Sequence, residues 1–459
     1  MKTRILFPLF LAGFASSAMA QSDLSNFTVT GSGLATTLST DYECIGINPS
    51  NLGWNNPKQV HFGLLEGGYS IYSDALTKAQ FSNNFLLDDG DAKLGTTTTT
   101  KQQAAVEMAN KGYALNVNET LLGLSLQLPG IGGFGFAIKA VGSDYVHLNG
   151  IGADLTYNGS NAAYFTSGAA KTNPEPLDQL FDGSKIYTDI HTEYDFSYGR
   201  QLYHTDDVKV YGGLGIKFVE SYGMIDIESK NGVLTAFTAF APNFNVDYGT
   251  GLSPAPDTTG GLTPIGSGVG FDFGGSVIIK DKIKIGISID DIGSITYTGN
   301  IYSAPDAVLK STISSGLAYF ANYKNLNALV GGEGIFKLQS GAKTQTISMP
   351  TNFRLGASYE VLKSLVLGVD FMAPLADVPG SLAAPQFGLG AQLKLANFIK
   401  LSAGLSVGGN TGFNIPLGVS FAPGNGTYEF GVATRDILYL ASSSNPNASV
   451  LLGFLRFGF

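Results

Sequence analysis

The sequence predicts an all-β fold, an antiparallel transmembrane β-barrel of about 14 strands with an N-terminal hatch or plug segment. Three observations predict it. Charged residues make up only 14% of the 459 residues, against 44% hydrophobic ones, whereas soluble domains carry about 25% charged residues. Beyond Ala20 no stretch approaches the roughly 18 to 20 consecutive apolar residues of a spanning helix. Apolar side chains instead recur at every second position, the pattern of a strand with one face in lipid. Finally, the breaks between alternating segments come as short turns and long inserts in strict alternation through the first part of the chain.

The elements follow in order. Lys2 and Arg4 lead into the apolar run Ile5 to Phe14, and Ala18-Met19-Ala20 forms a cleavage site before Gln21, so residues 1–20 read as a signal peptide. Residues 21–58 precede the first alternating segment and form the hatch. Residues 59–459 form the barrel. Strands are expected near 59–72, 112–128, 134–148, 186–203, 208–225, 266–279, 283–295, 344–360, 365–374, 385–396, 398–408, 412–422, 427–436 and 450–459. Tight links join several pairs: Pro129 to Gly133, His204 to Asp207, Lys280 to Lys282 and Val361 to Ser364. Long inserts at about 73–111, 149–185, 226–264 and 296–343 all fall on one side if the C-terminus lies on the other. Short turns inside and long loops outside are the asymmetry of outer-membrane barrels.

Face assignments follow from the period of two. Ile283, Ile285, Ile287 and Ile289 face lipid, and Lys284, Ser288 and Asp290 the lumen. Val269, Phe271 and Phe273 oppose Asp272; Tyr194, Phe196 and Tyr198 oppose Glu193 and Asp195. With Arg354 and Lys400, the candidate lumen-lining residues are Glu193, Asp195, Asp272, Lys284, Asp290, Arg354 and Lys400. They either select a passing solute or pair with one another and seal the interior. Tyr and Phe near strand ends are candidates for interfacial girdles.

The last strand, Leu451 to Phe459, is expected to carry Leu451, Leu455, Phe457 and Phe459 largely on one face. It resembles the closing strand of bacterial outer-membrane barrels, which the barrel-assembly machinery reads. That resemblance makes Phe457 and Phe459 the assembly signal and implies location in the bacterial outer membrane, with membrane lipid around the barrel.

The segment Gly46-Ile47-Asn48-Pro49-Ser50-Asn51-Leu52-Gly53-Trp54 resembles the N-terminus of FadL-like long-chain fatty-acid transporters and of the PorV proteins of type IX secretion. There an asparagine-proline-alanine motif folds the N-terminus into the barrel mouth. Asn48, Pro49 and Ser50 are the corresponding hatch motif, with Ser50 in place of alanine. Met349 to Ala357, Pro374 to Gly380, Phe413 to Gly418 and Glu429 to Asp436 are similar to a family of Bacteroidetes outer-membrane barrels without established activity, which implies fold and location but no substrate.

Composition excludes several functions. Formal net charge is −9, and without Lys2 and Arg4 the chain has 25 basic and 36 acidic residues, net −11, which disfavours nucleic acid. Cys44, the single cysteine, is read as a small buried residue. His61, His147, His191 and His204 form no zinc spacing, and a Ser-His site on His147 or His191 has no local motif. Gly266-Ser267-Gly268-Val269-Gly270 lies in a strand with no helix after it, unlike a dinucleotide loop. Asp88-Asp89-Gly90-Asp91 is either a Ca²⁺ loop or a solvated acidic turn. No catalytic residue, metal or cofactor is expected.

Lys101 to Asn110 and Asp306 to Leu317 are candidate loop helices, either ligand-catching or loop filler. The expected function is passive uptake of a hydrophobic or amphipathic small molecule through a plugged lumen, with a shift of the hatch and lateral exit through a kinked strand. The alternatives are a PorV-like adaptor binding a secreted or surface protein, and a structural or general pore.

Overall fold

Each strand hydrogen-bonds to its neighbours in sequence and the last returns to the first, so no strand edge is left for lipid to meet. The computed structural model describes residues 26–54, 56, 58–73, 98–244, 262–303, 308–311, 337–338, 343–378, 380–396, 398–409, 412–441 and 448–459. The signal peptide expected over 1–20 and the acidic run Asp88 to Asp91 lie outside the described residues.

Fourteen antiparallel strands close the barrel among the described residues. They are β1 (Val60–Ser73), β2 (Lys111–Leu128), β3 (Gly132–Leu148), β4 (Lys185–His204), β5 (Val208–Lys230), β6 (Val233–Phe240 continued by Gly266–Ile279) and β7 (Ile283–Ser303). Then come β8 (Lys343–Ser348 continued by Asn352–Leu362), β9 (Leu365–Pro374), β10 (Gln386–Ala396), β11 (Ile399–Gly408), β12 (Leu417–Phe421), β13 (Tyr428–Thr434) and β14 (Ala448–Gly458). Closure is a long ladder, from His61 opposite Gly458 to Ile71 opposite Ala448.

Two strands come in two pieces. The upper part of β6 pairs with Gly223 to Lys230 of β5 and the lower part with Val208 to Ser221, so both lie in one line. In β8 the break falls at Met349-Pro350-Thr351, between the stretches that pair with Ser294–Gly299 and with Ile283–Asp290 of β7. Pro350 has no N–H for the ladder.

Several bounds differ from expectation. The 226–264 insert is partly strand: β5 runs to Lys230, turns at Asn231-Gly232 with φ of +54° and +71°, and returns as upper β6. Asn-Gly tolerates two positive φ values, which a tight hairpin requires. β7 likewise continues past 295 to Ser303. In contrast, Gly412 to Pro416 form only the isolated bridge of Asn414 with Ser406, and β12 begins after Pro416.

The long-loop end is roofed by helices. One helix spans Thr98–Met108, close to the expected Lys101 to Asn110. The insert after β3 folds into a helix over Gly150–Asn158, whose first turn is capped by Asn149 accepting from the Gly152 N–H at 2.6 Å. Leu155, Ala162, Leu177 and Leu180 pack there with Leu234 and Leu309. Of the helix expected over Asp306 to Leu317, residues 308–311 instead run beside Pro176, bridged through Val308; the others lie outside the described residues.

The barrel is inside-out by the standards of a soluble protein. Phe196, Phe218, Phe271, Phe273, Ile285 and Leu405 point outward and are exposed, while Arg354 (1% exposed), Lys217 and Asp290 (0%) are buried inside. An apolar belt of that extent is far larger than soluble monomers expose and is what lipid demands.

Two bulges reset this alternation. In β7 the ladder slips by one between Phe271 and Phe273 of β6, and Asp291 takes φ +61°. Asp290 and Asp291 both turn inward as a result, and above them Ile295 and Tyr297 are the buried side chains. In β14 a slip opposite Glu429 and Gly431 leaves Phe454 and Leu455 both exposed. Leu451 therefore does not share the outer face of Leu455 and Phe459. It is 0% exposed and packs inside with Phe27 and Ala433.

Residues 26–54 fill the lumen. They enter as two short helical turns, Phe27–Thr30 and Ala35–Leu38, followed by 3₁₀ turns over Asp41–Cys44 and Pro49–Gly53. Their backbone lies so close to the wall that a side chain there would overlap it. Gly63 and Gly123 face the Tyr42 ring, Gly199 and Gly213 the Pro49 carbonyl, and Gly274 the Asn48 amide and Pro49 ring. Gly390 and Gly404 face the Ser32 carbonyl, and Gly431 and Gly453 the Phe27 ring. With Gly135, Gly286, Gly356, Gly368 and Gly418, every one of the fourteen strands offers a glycine where a Cβ would meet plug atoms. A large share of the 60 glycines is thus a seat for the plug.

Replacing Gly213 by Val should unseat it, because the added carbons meet the Pro49 and Ser50 backbone, which cannot rotate away. The barrel should still assemble and keep its heat-modifiable mobility in electrophoresis, while single-channel conductance in planar bilayers rises above wild type. Unchanged conductance with normal assembly would contradict the seating role.

Candidate functional site

The plug is built from local turn chemistry. Asn48 caps the 3₁₀ turn over Pro49–Gly53: its Oδ1 accepts from the Ser50 N–H at 3.2 Å and the Ser50 hydroxyl at 2.7 Å. Pro49 supplies a fixed φ at the first position, where no N–H is missed. Asn48 and Ser50 are fully buried, and the Ser50 hydroxyl also lies 2.9 Å from Ser276 Oγ on β6, a bond that alanine would not make. Asn51 ties the segment together by donating to the carbonyls of Thr36 and Ser39. Cys44 is buried beside it, 3.0 Å from the Asp41 carbonyl.

Charged lumen side chains hold the plug to the wall. Thr36 donates through both N–H and hydroxyl to the Asp370 carboxylate, each at 2.8 Å. Lys139 donates to the Ile45 carbonyl (3.1 Å) and Ser288 to the Ile47 carbonyl (2.5 Å). On β14, Arg456 forms a latch: its guanidinium pairs with Asp41 at 2.7 Å, Glu43 at 2.8 Å and Glu429 at 3.5 Å. It also lies over the Tyr42 ring at 5.1 Å. Burial pushes the Tyr42 phenol up, so it stays protonated and donates to Glu66 at 2.8 Å.

Above the plug, toward the helical roof, lies a small pocket that opens toward the lumen. Its floor is Gly46 of the plug. Its walls mix Val141, Tyr187, Ile295, Tyr297, Ile347 and Met349 with Lys139, His191, Glu193, Lys217 and Asp291.

The charges form a compact, largely paired group: Lys139 with Asp195 at 3.1 Å, and Lys217 with Asp291, with Glu193 at 3.7 Å and with Asp195 at 4.0 Å. Deeper in the wall, Arg354 pairs with Asp290 at 2.7 Å, and Asp272 accepts from the Asp291 N–H at 2.8 Å. Pairing is needed here, because an isolated charge in this environment would be costly.

Glu193, Asp195, Asp272, Asp290 and Arg354 all point inward and belong to this charged group or the wall beside it. Lys400 is elsewhere, paired with Glu429 at 2.7 Å next to the Arg456 latch. Lys284 is at the short-turn end, its ammonium 4.3 Å from the centre of the Trp54 ring. Phe457 is half-buried against Tyr428 and Phe459 is exposed at the rim.

Sequence reasoning missed Lys139, Lys217, Asp291, Glu66, Asp370 and Arg456. Lys139, Lys217 and Arg456 each sit between apolar outward neighbours, and that alternation was a usable signal. Asp291 was hidden by the bulge.

The histidines make no catalytic constellation among the described residues. His191 places Nδ1 2.5 Å from Asp189 and Nε2 3.5 Å from Glu193. Ser221 donates to Asp189 at 3.2 Å rather than to the imidazole, so it has no base. His147 Nδ1 lies 3.1 Å from the Gly183 carbonyl.

Residues 58–428 match the model of DUF5723, described as a family of unknown function. The chain belongs to this family. No curated protein matches this chain. Among solved structures, a TodX deltaS2S3 mutant, titled a monoaromatic hydrocarbon channel, aligns at TM-score 0.51 and 10% identity over 94% of this chain and 98% of that one. The Pseudomonas putida toluene transporter TodX aligns at 0.45 and 10% over 96% and 98%, and the Ralstonia pickettii toluene transporter TbuX at 0.46 and 13% over 96% and 99%. At 10% identity the likeness to the TodX mutant concerns the fold alone and leaves substrate to the site itself.

Replacing Arg456 by Met should leave Asp41, Glu43 and Glu429 buried around a missing cation. Removing one partner of such a group costs about 3–5 kcal/mol. The loss should appear as faster proteolysis within residues 26–54 of the folded barrel, with the β-sheet circular dichroism unchanged.

Proposed function

We propose that this barrel admits a hydrophobic or amphipathic small molecule across the outer membrane. The observation that carries the reading is the position of the pocket: it lies between the roof and the plug, and its floor is the plug backbone at Gly46. An apolar body would meet Val141, Ile295, Ile347 and Met349, and a polar end would meet Lys139, Lys217 or His191. Gly46, at φ +74°, lies beneath both ammoniums. A ligand that drew Lys139 away from the Ile45 carbonyl would therefore loosen the plug at that point. The fold shared with the TodX mutant, a hydrocarbon channel by its title, agrees with this reading by analogy alone.

Exit has a candidate route at the seam. The β1–β14 ladder skips Leu65 and Glu66 opposite Gly453 and Phe454, and the β1–β2 ladder skips Leu65 opposite Leu121. Leu65 takes φ +53°, rare for a bulky residue. Neighbouring Glu66 holds the Tyr42 hydroxyl of the plug, so the weakened seam and the plug are in direct contact.

Two experiments test this. Native mass spectrometry of the detergent-purified protein should show a stoichiometric amphiphile that is lost when Asn48 and Pro49 are both replaced by Ala. A bound protein and no small molecule would move the assignment to an adaptor, and steady wild-type ion conductance with neither would leave a pore. Independently, a disulfide joining Leu64→Cys to Leu455→Cys, directly opposite across the seam, in a Cys44→Ala background should block uptake until reductant is added. Uptake that ignores the bridge would rule out the lateral route.

A further inference from the structure

A second cavity lies on the other side of the plug, at the short-turn end, and its chemistry differs from that of the pocket above. It measures about 1140 Å³ including the open space at its mouth, and its walls carry Lys58, Lys209, Lys284 and Lys394 against Asp41 and Asp281. Both acids are already committed. Asp281 pairs with Lys209 at 2.5 Å, and Asp41 pairs with Arg456 of the latch at 2.7 Å. Lys58 donates to the Gly458 carbonyl at 2.7 Å and to the Thr427 hydroxyl. His61, also in the wall, faces Asp41 at 4.0 Å.

Lys284 is different. Among the described residues its ammonium has no hydrogen-bond or ion-pair partner, and Glu360 acts on it only from beyond ion-pair distance. It rests instead over the Trp54 ring at 4.3 Å. That ring is fixed: the indole N–H donates to Ser276 Oγ at 2.9 Å, the same oxygen that the Ser50 hydroxyl reaches. Trp54 also packs on Tyr211 and Ile278. Cation–π contact offsets part of the cost of a partly desolvated ammonium but leaves all of its N–H donors free. Lys394, on the same wall, is exposed and makes no ion pair among the described residues.

We infer that this vestibule is an oxyanion-binding site, in which Lys284, braced on Trp54 and assisted by Lys394, holds a carboxylate or phosphate group. The local excess of cations runs against the chain as a whole, which is acidic by 9 charges. The unmet requirement of such a wall is a counter-charge with acceptor oxygens. Ile278, Tyr211 and Leu52 beside it offer an apolar surface to whatever carries the anion. The inference stands apart from the uptake reading, since it concerns binding to the purified barrel from the periplasmic face.

The chain has one tryptophan and 21 tyrosines, so fluorescence excited beyond the tyrosine absorption reports this site and no other. Detergent-purified protein is titrated with benzoate, with inorganic phosphate and with benzyl alcohol, the neutral counterpart of benzoate. Saturable change with benzoate or phosphate, and none with benzyl alcohol, is expected. A response to benzoate alone indicates an organic acid, and an equal response to phosphate indicates the free or headgroup anion. Lys284→Met should weaken binding about tenfold or more, the value of one charge-assisted hydrogen bond, and Lys284→Arg should keep most of it. An equal response to benzyl alcohol, or Lys284→Met binding as wild type does, would overturn the inference. Should Lys284→Met fail to assemble, quenching of Trp54 in the wild-type barrel decides: the iodide-to-caesium quenching ratio must exceed that of free N-acetyltryptophanamide in the same detergent, and a ratio at or below it refutes a cationic site.

Discussion

The close approach of the plug backbone to the barrel wall is the constraint on which the remaining features depend. A polypeptide threaded through a fourteen-stranded lumen fits only if the wall gives up its side chains where the two backbones meet. The ring of glycines from Gly63 on β1 round to Gly453 on β14 does this on every strand. Once that level is occupied by backbone, the only charged wall side chains within it are those tied to the plug, such as Arg456, Glu66 and Asp370, or to one another. The others are displaced above and below, where each must find a partner or water. The plug therefore divides the lumen into two electrostatic compartments.

The compartments are finished differently. Above, Lys139 and Lys217 pair with Glu193, Asp195 and Asp291 within a few ångströms, leaving the apolar Val141, Ile295, Ile347 and Met349 as the rest of the wall used by the uptake reading. Such a surface suits a ligand with little charge of its own. Below, the acids are consumed by Lys209 and Arg456, and Lys284 stands on the Trp54 ring without a counter-ion. Arg456 and Lys400 sit at the level between them, sharing Glu429 and holding the turn over Asp41–Cys44. The plug is thus fastened on its β14 side by charge and on its β6 side by the neutral Asn48, Ser50 and Ser276 contacts.

Much of the barrel was legible because a lipid-facing strand must alternate without lapse. Ile283, Ile285 and Ile287 against Lys284, Ser288 and Asp290 left one possible phase. The order of short turns and long inserts then pointed to about 14 strands. The bulges were not legible, since an extra residue in a ladder is defined by the partner strand and not by its own sequence. That is why Leu451 was placed on the wrong face and Asp291 was overlooked. The seat for the plug was hidden for a related reason. Glycine in a strand reads as weakness, and nothing local marks it as the imprint of a segment distant in sequence. Asn48-Pro49-Ser50 gave notice of a turn, but only its contacts with Gly274 and Ser276 show what the turn presses against.

The same seat limits how a passage could open under the uptake reading. Withdrawing the whole plug would separate it from fourteen glycine contacts, the Arg456 latch and the Thr36–Asp370 pair at once. The stretch from Ile45 to Ile47 is held differently. Its carbonyls accept from the side chains of Lys139 and Ser288, and side chains can rotate where a backbone pressed on glycine cannot. Gly46 lies between those two carbonyls and is also the floor of the upper pocket. A local shift at Gly46 breaks the bonds from Lys139 and Ser288 and disturbs those of the Ile45 and Ile47 N–H groups to Tyr42 and Cys44, while the turn over Pro49–Gly53 stays in place. Movement confined to three residues is therefore the least costly path between the two compartments, and the firmly seated remainder of the plug is what keeps the movement that small.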